Sequence, residues 1–322
     1  MVITASDRQA FKRCRRQWDF GSRLRQGWEP DVDTVDVDLA GAVQAALAVW
    51  YFPGMWDWDR SIVRPLAEEA FRKAVAGWPA GHDGVAALGQ ALLGRYFDWA
   101  PEADVCTPLR VETDFHVTIP DPVDPRRDLA GADGSALHFA GRVRALVVDP
   151  FNVHWLVDHL VGDGWADIDA LVLDERGAAS CWAWGRCYLG TDVAGVVYNQ
   201  LRTDADLGRG YAPDLAFRRT TVRRSLVELE RARHNLGTEA REMTSAGLAV
   251  YPTPSWENCS TCAFRPPCLA VTTGGDAEPV LATSYRRRPP LEEQEGRLGG
   301  VTWSLGRGAA PPKFGRDPHR DR

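Results

Sequence analysis

The spacing of apolar and polar residues changes character along the chain. Over residues 6–24, Phe11, Cys14 and Trp18 recur at helical spacing and Ser6 or Asp7 is placed to cap the start, which predicts a helix with Cys14 inward and arginines outward. Residues 38–52 are rich in alanine and apolar on most sides, which predicts a buried helix ended by the Pro53-Gly54 turn. Further helices are expected over 59–76 and 85–99, so the first hundred residues read as mainly helical.

The period then shortens. Residues 109–119 alternate polar and apolar, 120–134 form a loop rich in Asp, Pro and Gly, and 137–148 alternate again into Asp149-Pro150. Residues 154–161 read as a short apolar strand carrying Asp158, 168–189 as a helix weakened by Gly177 and Gly185, and 192–201 as another strand. Strands, a helix and a further strand predict an α+β fold with a mixed central sheet flanked by helices. A long charged helix is expected over 220–244, with a break possible at Gly237.

These periods divide the chain into an N-terminal helix carrying Cys14 (1–30), a helical region (31–108), a sheet core (109–202), a long helix and connector (203–258) and a cysteine cluster (259–270). The remainder, 271–322, is rich in Gly, Pro, Arg and Glu and is expected to be disordered. No internal repeat is visible.

Composition narrows the class. A chain of 322 residues that is 44% hydrophobic has material for a full core. No apolar run reaches the roughly 18 residues of a membrane span, and the first residues lack a signal-peptide pattern, so no membrane partner is expected. Seven cysteines, an odd number, suit a reducing cytoplasm, and Cys106, Cys181 and Cys187 read as buried free thiols. The net charge of −6 argues against an electrostatic clamp over the whole surface. Arginine is nevertheless grouped at 13, 15 and 16, at 218, 219, 223 and 224 where it would open the long helix, and at 286–288, so a local patch for phosphates is conceivable beside the plainer reading of solvated helix faces. Lysine occurs only at 12, 73 and 313.

The most specific chemistry lies in Cys259-x2-Cys262-x5-Cys268, with Cys14 far upstream as the candidate fourth ligand. Thiolates select zinc or an iron–sulfur cluster, and either would join the two ends of the chain.

The N-terminal helix with one cysteine, the strand–strand–helix–strand core and the C-terminal C-x2-C-x5-C resemble the iron–sulfur branch of the PD-(D/E)XK nuclease superfamily, which includes RecB-like and CRISPR-associated exonucleases. The resemblance spans residues 6–270 and implies a nuclease-like mixed sheet whose ends are joined by a 4Fe–4S cluster on Cys14, Cys259, Cys262 and Cys268, with zinc as the alternative metal. Gly141-Arg-Val-Arg144 is similar to the family's Gly-x-hydrophobic-Asp strand, and Trp155-Leu-Val-Asp158-His-Leu160 to its Asp-x-Lys strand.

Carrying the family's site onto these positions leaves most of it unfilled. The helix ligand falls at Gln44, the first aspartate at Arg144 and the lysine at Leu160, while Asp158 alone keeps its type as a residual catalytic group. No lysine lies between Lys73 and Lys313, so a small shift of alignment cannot supply one. A guanidinium in place of a metal-binding carboxylate repels a divalent cation by several kcal/mol even at an effective dielectric of about 20. The expected site therefore binds metal poorly and cleaves slowly or not at all, and Asp158 reads either as a structural partner of Arg142 or Arg144 or as a residual metal ligand.

The expected function is a DNA-binding or scaffold module in DNA processing, with DNA as partner and a protein partner also possible. The alternative is an active RecB-like DNA exonuclease, using magnesium or manganese at a site rebuilt from Asp158, Glu112 or Asp149. Glu112 otherwise reads as solvent-facing, and His138, His154 and His159 match no standard metal spacing. The tryptophans, among them Trp50, Trp56, Trp58, Trp182 and Trp184, read chiefly as packing residues.

Overall fold

The computed structural model describes residues 1–31, 37–208 and 212–288. A short strand, β1 (Val2–Thr4), leads into α1 (Ala5–Arg13), whose start is closed by a capping box between Thr4 and Asp7. The helix expected over 6–24 breaks at Cys14, where an extended backbone (φ −164°, ψ 114°) separates α1 from α2 (Arg15–Gly21). Phe11 and Trp18 still meet edge to face at 5.0 Å, so the apolar face survives the break while Cys14 leaves the helical frame. The strand β2 (Trp28–Pro30) follows.

The helical region forms as its periodicity predicts. Asp38 caps α3 (Leu39–Trp50), a 3-10 turn covers Pro53–Met55, Asp59 caps α4 (Arg60–Val75), and α5 (Asp83–Ala103) ends the region. Val43, Leu47, Trp50, Val63, Phe71, Leu92, Tyr96 and Phe97 share one buried core.

The sheet is mixed. Its strand β4 (His138–Val148) pairs antiparallel with β3 (Thr107–Thr118) on one side. On the other it meets β1 in parallel at one end and β5 (His154–Gly162) antiparallel at the other. The chain crosses through α6 (Ile168–Val172) and α7 (Glu175–Cys187) to β6 (Val193–Arg202), parallel to β5, the crossover that a parallel pair requires. The short α8 (Pro213–Ala216) then leads to β7 (Phe217–Arg223), antiparallel to β6. Gly195 permits this last pairing, because a Cβ there would lie 2.1 Å from the Val222 carbonyl oxygen.

Helices cover both faces. Val161 and Leu201 join the core of α3–α5, whereas Leu156, Val196 and Tyr198, of opposite parity on the same strands, pack with α7 and α9 (Leu226–Met243). The C-terminal segment carries α10 (Trp256–Cys259), α11 (Arg265–Thr272), α12 (Glu278–Ser284) and β8 (Tyr285–Arg287). β8 pairs antiparallel with β2, and Phe20, Phe264, Ala277, Leu281 and Tyr285 form a small core, so the two ends of the described chain meet.

Three further expectations are corrected. The helix expected from 220 begins at Leu226, because the preceding residues complete the sheet by pairing with β6 from Gly195 to Leu201. The helix expected over 168–189 is two helices, the second capped by Asp174. The segment expected to be disordered from 271 carries α12 and β8, held by Leu281 and Tyr285 in the small core, while 289–322 lie outside the described residues. The short strands β1, β2 and β8 carry too few residues to show a period.

Candidate functional site

The sheet brings Glu112, Arg144 and Asp158 onto adjacent strands, abreast of one another. β3 pairs with β4 at Val111↔Ala145 and Thr113↔Val143, which sets Glu112 abreast of Arg144, and β4 pairs with β5 at Ala145↔Val157, which sets Arg144 next to Asp158. Glu112 has φ +42°, a left-handed conformation that costs a non-glycine residue in mid-strand. Arg144 Nη1 donates to Glu112 Oε2 at 3.0 Å. Glu112 is therefore not solvent-facing: its side chain is 28% exposed and paired.

Asp158 pairs with Arg176 on α7, not with Arg142 or Arg144. Arg142 turns toward β3, where it holds both carboxylate oxygens of Asp114 at 2.6 and 2.9 Å, and Arg144 is taken by Glu112. Asp158 is 20% exposed, and burial raises its carboxyl above the usual range against the opposing pull of Arg176 and Arg144. Burial raises Glu112 in the same way, again against Arg144.

The first turn of α7 is fixed from below. Asp174 accepts from the amides of Arg176 and Gly177, both at 3.0 Å, and from Tyr198 Oη at 2.7 Å. Gly177 allows this approach, since a Cβ would lie 2.6 Å from Tyr198 Oη. Arg224, almost wholly buried, donates to the carbonyls of Leu171 and Asp174 at 2.8 and 3.3 Å and also reaches that of Val172, satisfying the end of α6.

Gln44 is half-buried on α3, which packs against β4 and β5. Leu160 is half-buried against the core of α7 and α9. Lys12 reaches α7 from outside the core: it pairs with Glu175, and with Glu239 at 2.8 Å. Asp149 is occupied by the β4–β5 turn, accepting from the amides of Phe151 and Val153 at 2.9 Å and from Trp155 Nε1 at 3.1 Å.

The opposite face of the sheet holds a polar network that sequence reasoning missed. The register His159↔Asn199↔Arg219 sets three polar side chains in a row across β5, β6 and β7. Asn199 Nδ2 donates to His159 Nδ1 and to Tyr96 Oη, each at 2.9 Å. Arg219 donates to Tyr51 Oη at 2.9 Å and to the Ala103 carbonyl at 2.8 Å, and pairs with Asp104 at 2.5 Å. Burial, then Arg219 and Arg144, push the His159 imidazole down to about 3, so it is neutral at ordinary pH. Burial raises Asp104 although Arg219 pulls the other way. The three nominated histidines do not converge. His138 opens β4 and stacks on His116 at 4.4 Å, His154 stands opposite Val148 at the far end of that strand, and His159 is buried.

The four nominated cysteines lie on the segments by which the two ends of the described chain meet. Cys14 Sγ accepts the Thr253 amide at 3.4 Å, and Cys268 Sγ lies 3.9 Å from Arg16 Nη1. Burial raises the Cys262 thiol, the Phe264 amide hydrogen bond offsets part of that, and Cys14, Cys268 and Cys259 all lie within electrostatic reach of it. All four are half-buried free thiols. Among the described residues, no three His, Cys, Asp or Glu side chains are placed closely enough to hold a metal ion. By donor chemistry the set nevertheless fits a soft metal or cluster: it is all thiol, and N–H donors are directed at three of the sulfurs, as they are at metal-bound thiolates.

The arginine groups are largely engaged within the chain. Arg13 does not point outward but donates to Asn258 Oδ1 at 3.3 Å and to the Glu257 carbonyl at 3.1 Å, and Arg15 pairs with Glu242. Arg218 lies 4.5 Å over the Trp165 ring, Arg223 4.9 Å over Trp155 and Arg287 3.9 Å over Trp28. Trp165 borders a shallow cavity of about 300 Å³ at the carboxyl ends of β5 and β6, between Leu160 and Gln200.

No family model and no curated protein matches the chain. A solved structure described as the crystal structure of SSO0001 matches it at 12% identity and a TM-score of 0.33, over 69% of this chain and 82% of that one.

Proposed function

We propose that the chain is a PD-(D/E)XK nuclease-like protein of impaired catalysis that acts as a DNA-binding or scaffold module, with its ends tied through a 4Fe–4S cluster on Cys14, Cys259, Cys262 and Cys268. The observation that carries the loss of catalysis is the pair of ion contacts Glu112–Arg144 and Asp158–Arg176. A divalent cation is held by carboxylate oxygens, and here the two carboxylates nearest the family's metal position already face guanidinium groups. Magnesium would have to displace both arginines and remain beside them, against a repulsion of several kcal/mol at an effective dielectric of about 20.

The thiol set supports the cluster reading. Bound there, a cluster would supply a covalent tie between the N-terminal helices and the C-terminal segment, and the chain's own residues already bring those segments together through Arg13, Phe20 and Phe264.

Anaerobically purified protein assayed for iron, sulfide and zinc, and titrated with labelled single- and double-stranded DNA, tests both parts. Expected are a brown protein with broad absorbance in the visible blue and salt-sensitive DNA binding without turnover. Colourless protein with stoichiometric zinc refutes the cluster, and magnesium- or manganese-dependent cleavage abolished by Asp158→Ala refutes the loss of catalysis.

A further inference from the structure

Asp158 is bracketed by two cations that spend little of their hydrogen-bonding capacity. The Ala145↔Val157 pairing sets Arg144 beside it from β4, Arg176 reaches it from the first turn of α7, and both guanidinium groups act on its carboxylate. A guanidinium carries five N–H donors in a planar fork. Arg144 gives one to Glu112 Oε2 at 3.0 Å and Arg176 gives one to Asp158 Oδ2, and neither side chain makes another hydrogen bond among the described residues. Arg142, two residues along β4, shows the contrast, since its fork holds both carboxylate oxygens of Asp114 at 2.6 and 2.9 Å. The Arg144 and Arg176 side chains are 35% and 56% exposed, so a ligand arriving from solvent can reach both. Backbone strain lies at the same place: Glu112, the residue that engages Arg144, holds φ +42° in mid-strand.

We infer that Arg144 and Arg176 form a metal-independent clamp for one phosphodiester of a DNA backbone, with Asp158 as the resident anion that the phosphate displaces. The inference rests on the DNA-binding reading above and names the residues that carry it. A phosphate takes two parallel N–H groups from one guanidinium, so two forks on one phosphate make bonds that the single contacts to Glu112 and Asp158 do not. The same pair of charges that repels a divalent cation attracts the phosphate directly. Glu112 and Asp158 compete with it as like charges, so they are the residues whose neutralisation should tighten binding.

The test is fluorescence anisotropy of the full-length protein with a labelled DNA duplex, without added divalent cation, over a series of salt concentrations. Each backbone phosphate neutralised contributes about 0.9 to the fall of log K with log salt. Arg176→Gln should lower that slope by about 0.9, Arg144→Gln by the same amount, and the double variant by no more than either, because both side chains hold one phosphate. Asp158→Asn, with the resident anion neutralised, should tighten binding several-fold. Arg127→Gln, which removes an exposed arginine from the loop between β3 and β4, should leave the slope unchanged. Should Arg144→Gln fail to fold with Glu112 unpaired, Glu112→Gln keeps the cation and should tighten binding as Asp158→Asn does. An unchanged slope in Arg176→Gln, the same shift in Arg127→Gln, an additive double variant, or binding no tighter in Asp158→Asn overturns the clamp and leaves the DNA-binding reading standing. Wild-type protein that binds no DNA overturns both.

Discussion

The sheet site and the cysteine lobe hold the chain's two concentrations of candidate chemistry, and they treat it in opposite ways. On the sheet, Glu112 faces Arg144, Asp158 faces Arg176, Asp114 faces Arg142 and Asp104 faces Arg219, so each carboxylate that a hard cation would need has a guanidinium partner. In the lobe, three of the four thiols meet N–H donors, and the arginines around them bind backbone carbonyls, Asn258, Thr272 and Glu242. Charge on the sheet is neutralised by guanidinium groups, whereas the sulfurs of the lobe are met by N–H donors.

The largest effect should come from cutting the lobe. If a cluster bridges Cys14 to the C-terminal trio, Cys268→Ser removes a tie across a loop of about 250 residues, which chain-closure entropy values at about 5 kcal/mol. Anaerobic thermal unfolding should show a fall of about 7 °C, the shift such a loss produces in a chain of 322 residues. An unchanged melting temperature would remove the lobe from the comparison.

Next is the closure of charge on the sheet. Arg219→Met leaves Asp104 buried without its cation and should cost about 3 kcal/mol or more in urea unfolding. Replacing both partners, Arg219→Met with Asp104→Leu, should recover part of that loss, and a double variant no better than the single one would show that Tyr51 and Tyr96 carry the network instead.

A smaller effect follows from His159. Its folded value near 3 lies below the ordinary 6.5, so the unfolded chain binds the extra proton over that interval and stability falls as pH drops through it. Between pH 7 and pH 5 the loss attributable to this group is about 2 kcal/mol, and it should vanish in His159→Asn. Paired unfolding curves at the two pH values, for wild type and variant, read it directly. Asp104, Asp158 and Glu112 have raised carboxyls and contribute with the opposite sign, losing stability as pH rises above the ordinary carboxylate range, so only the difference between the two proteins isolates the imidazole.

The smallest effect on stability is expected at the site with the greatest functional interest. Arg176 is 56% exposed, and Arg176→Gln should change stability by only about 0–1 kcal/mol. The same change removes the leading attraction opposing burial at Asp158 and should raise that carboxyl further, measurable by NMR titration of the side-chain carbon. A fall on that substitution would mean that Arg176 does not face Asp158 in solution.

Much of the core was legible beforehand, and the reason differs by element. β3 and β4 are long enough for alternation to show, β5 and β6 stand out as short runs rich in apolar residues, and α3 and α4 show helical apolar spacing. β7 escaped because Phe217–Arg223 leads directly into a charged helix, and only the free edge of β6 makes a strand of it. The polar row His159, Asn199 and Arg219 escaped for a related reason: its members are separated by tens of residues and meet only through strand register.

The amino-acid sequence by itself determined what chemistry the chain can bring anywhere: no lysine between Lys73 and Lys313, an arginine at 144, a leucine at 160 and three cysteines within one short stretch. Those are matters of composition and local spacing, and no fold can alter them. Only the tertiary structure decided that Asp158 belongs to Arg176, that Arg219 is a core residue of the network, and that Cys14 is turned out of its helix toward Thr253. Partners distant in sequence are chosen by backbone register and by burial, where an unpaired charge is costly enough to select the geometry that satisfies it.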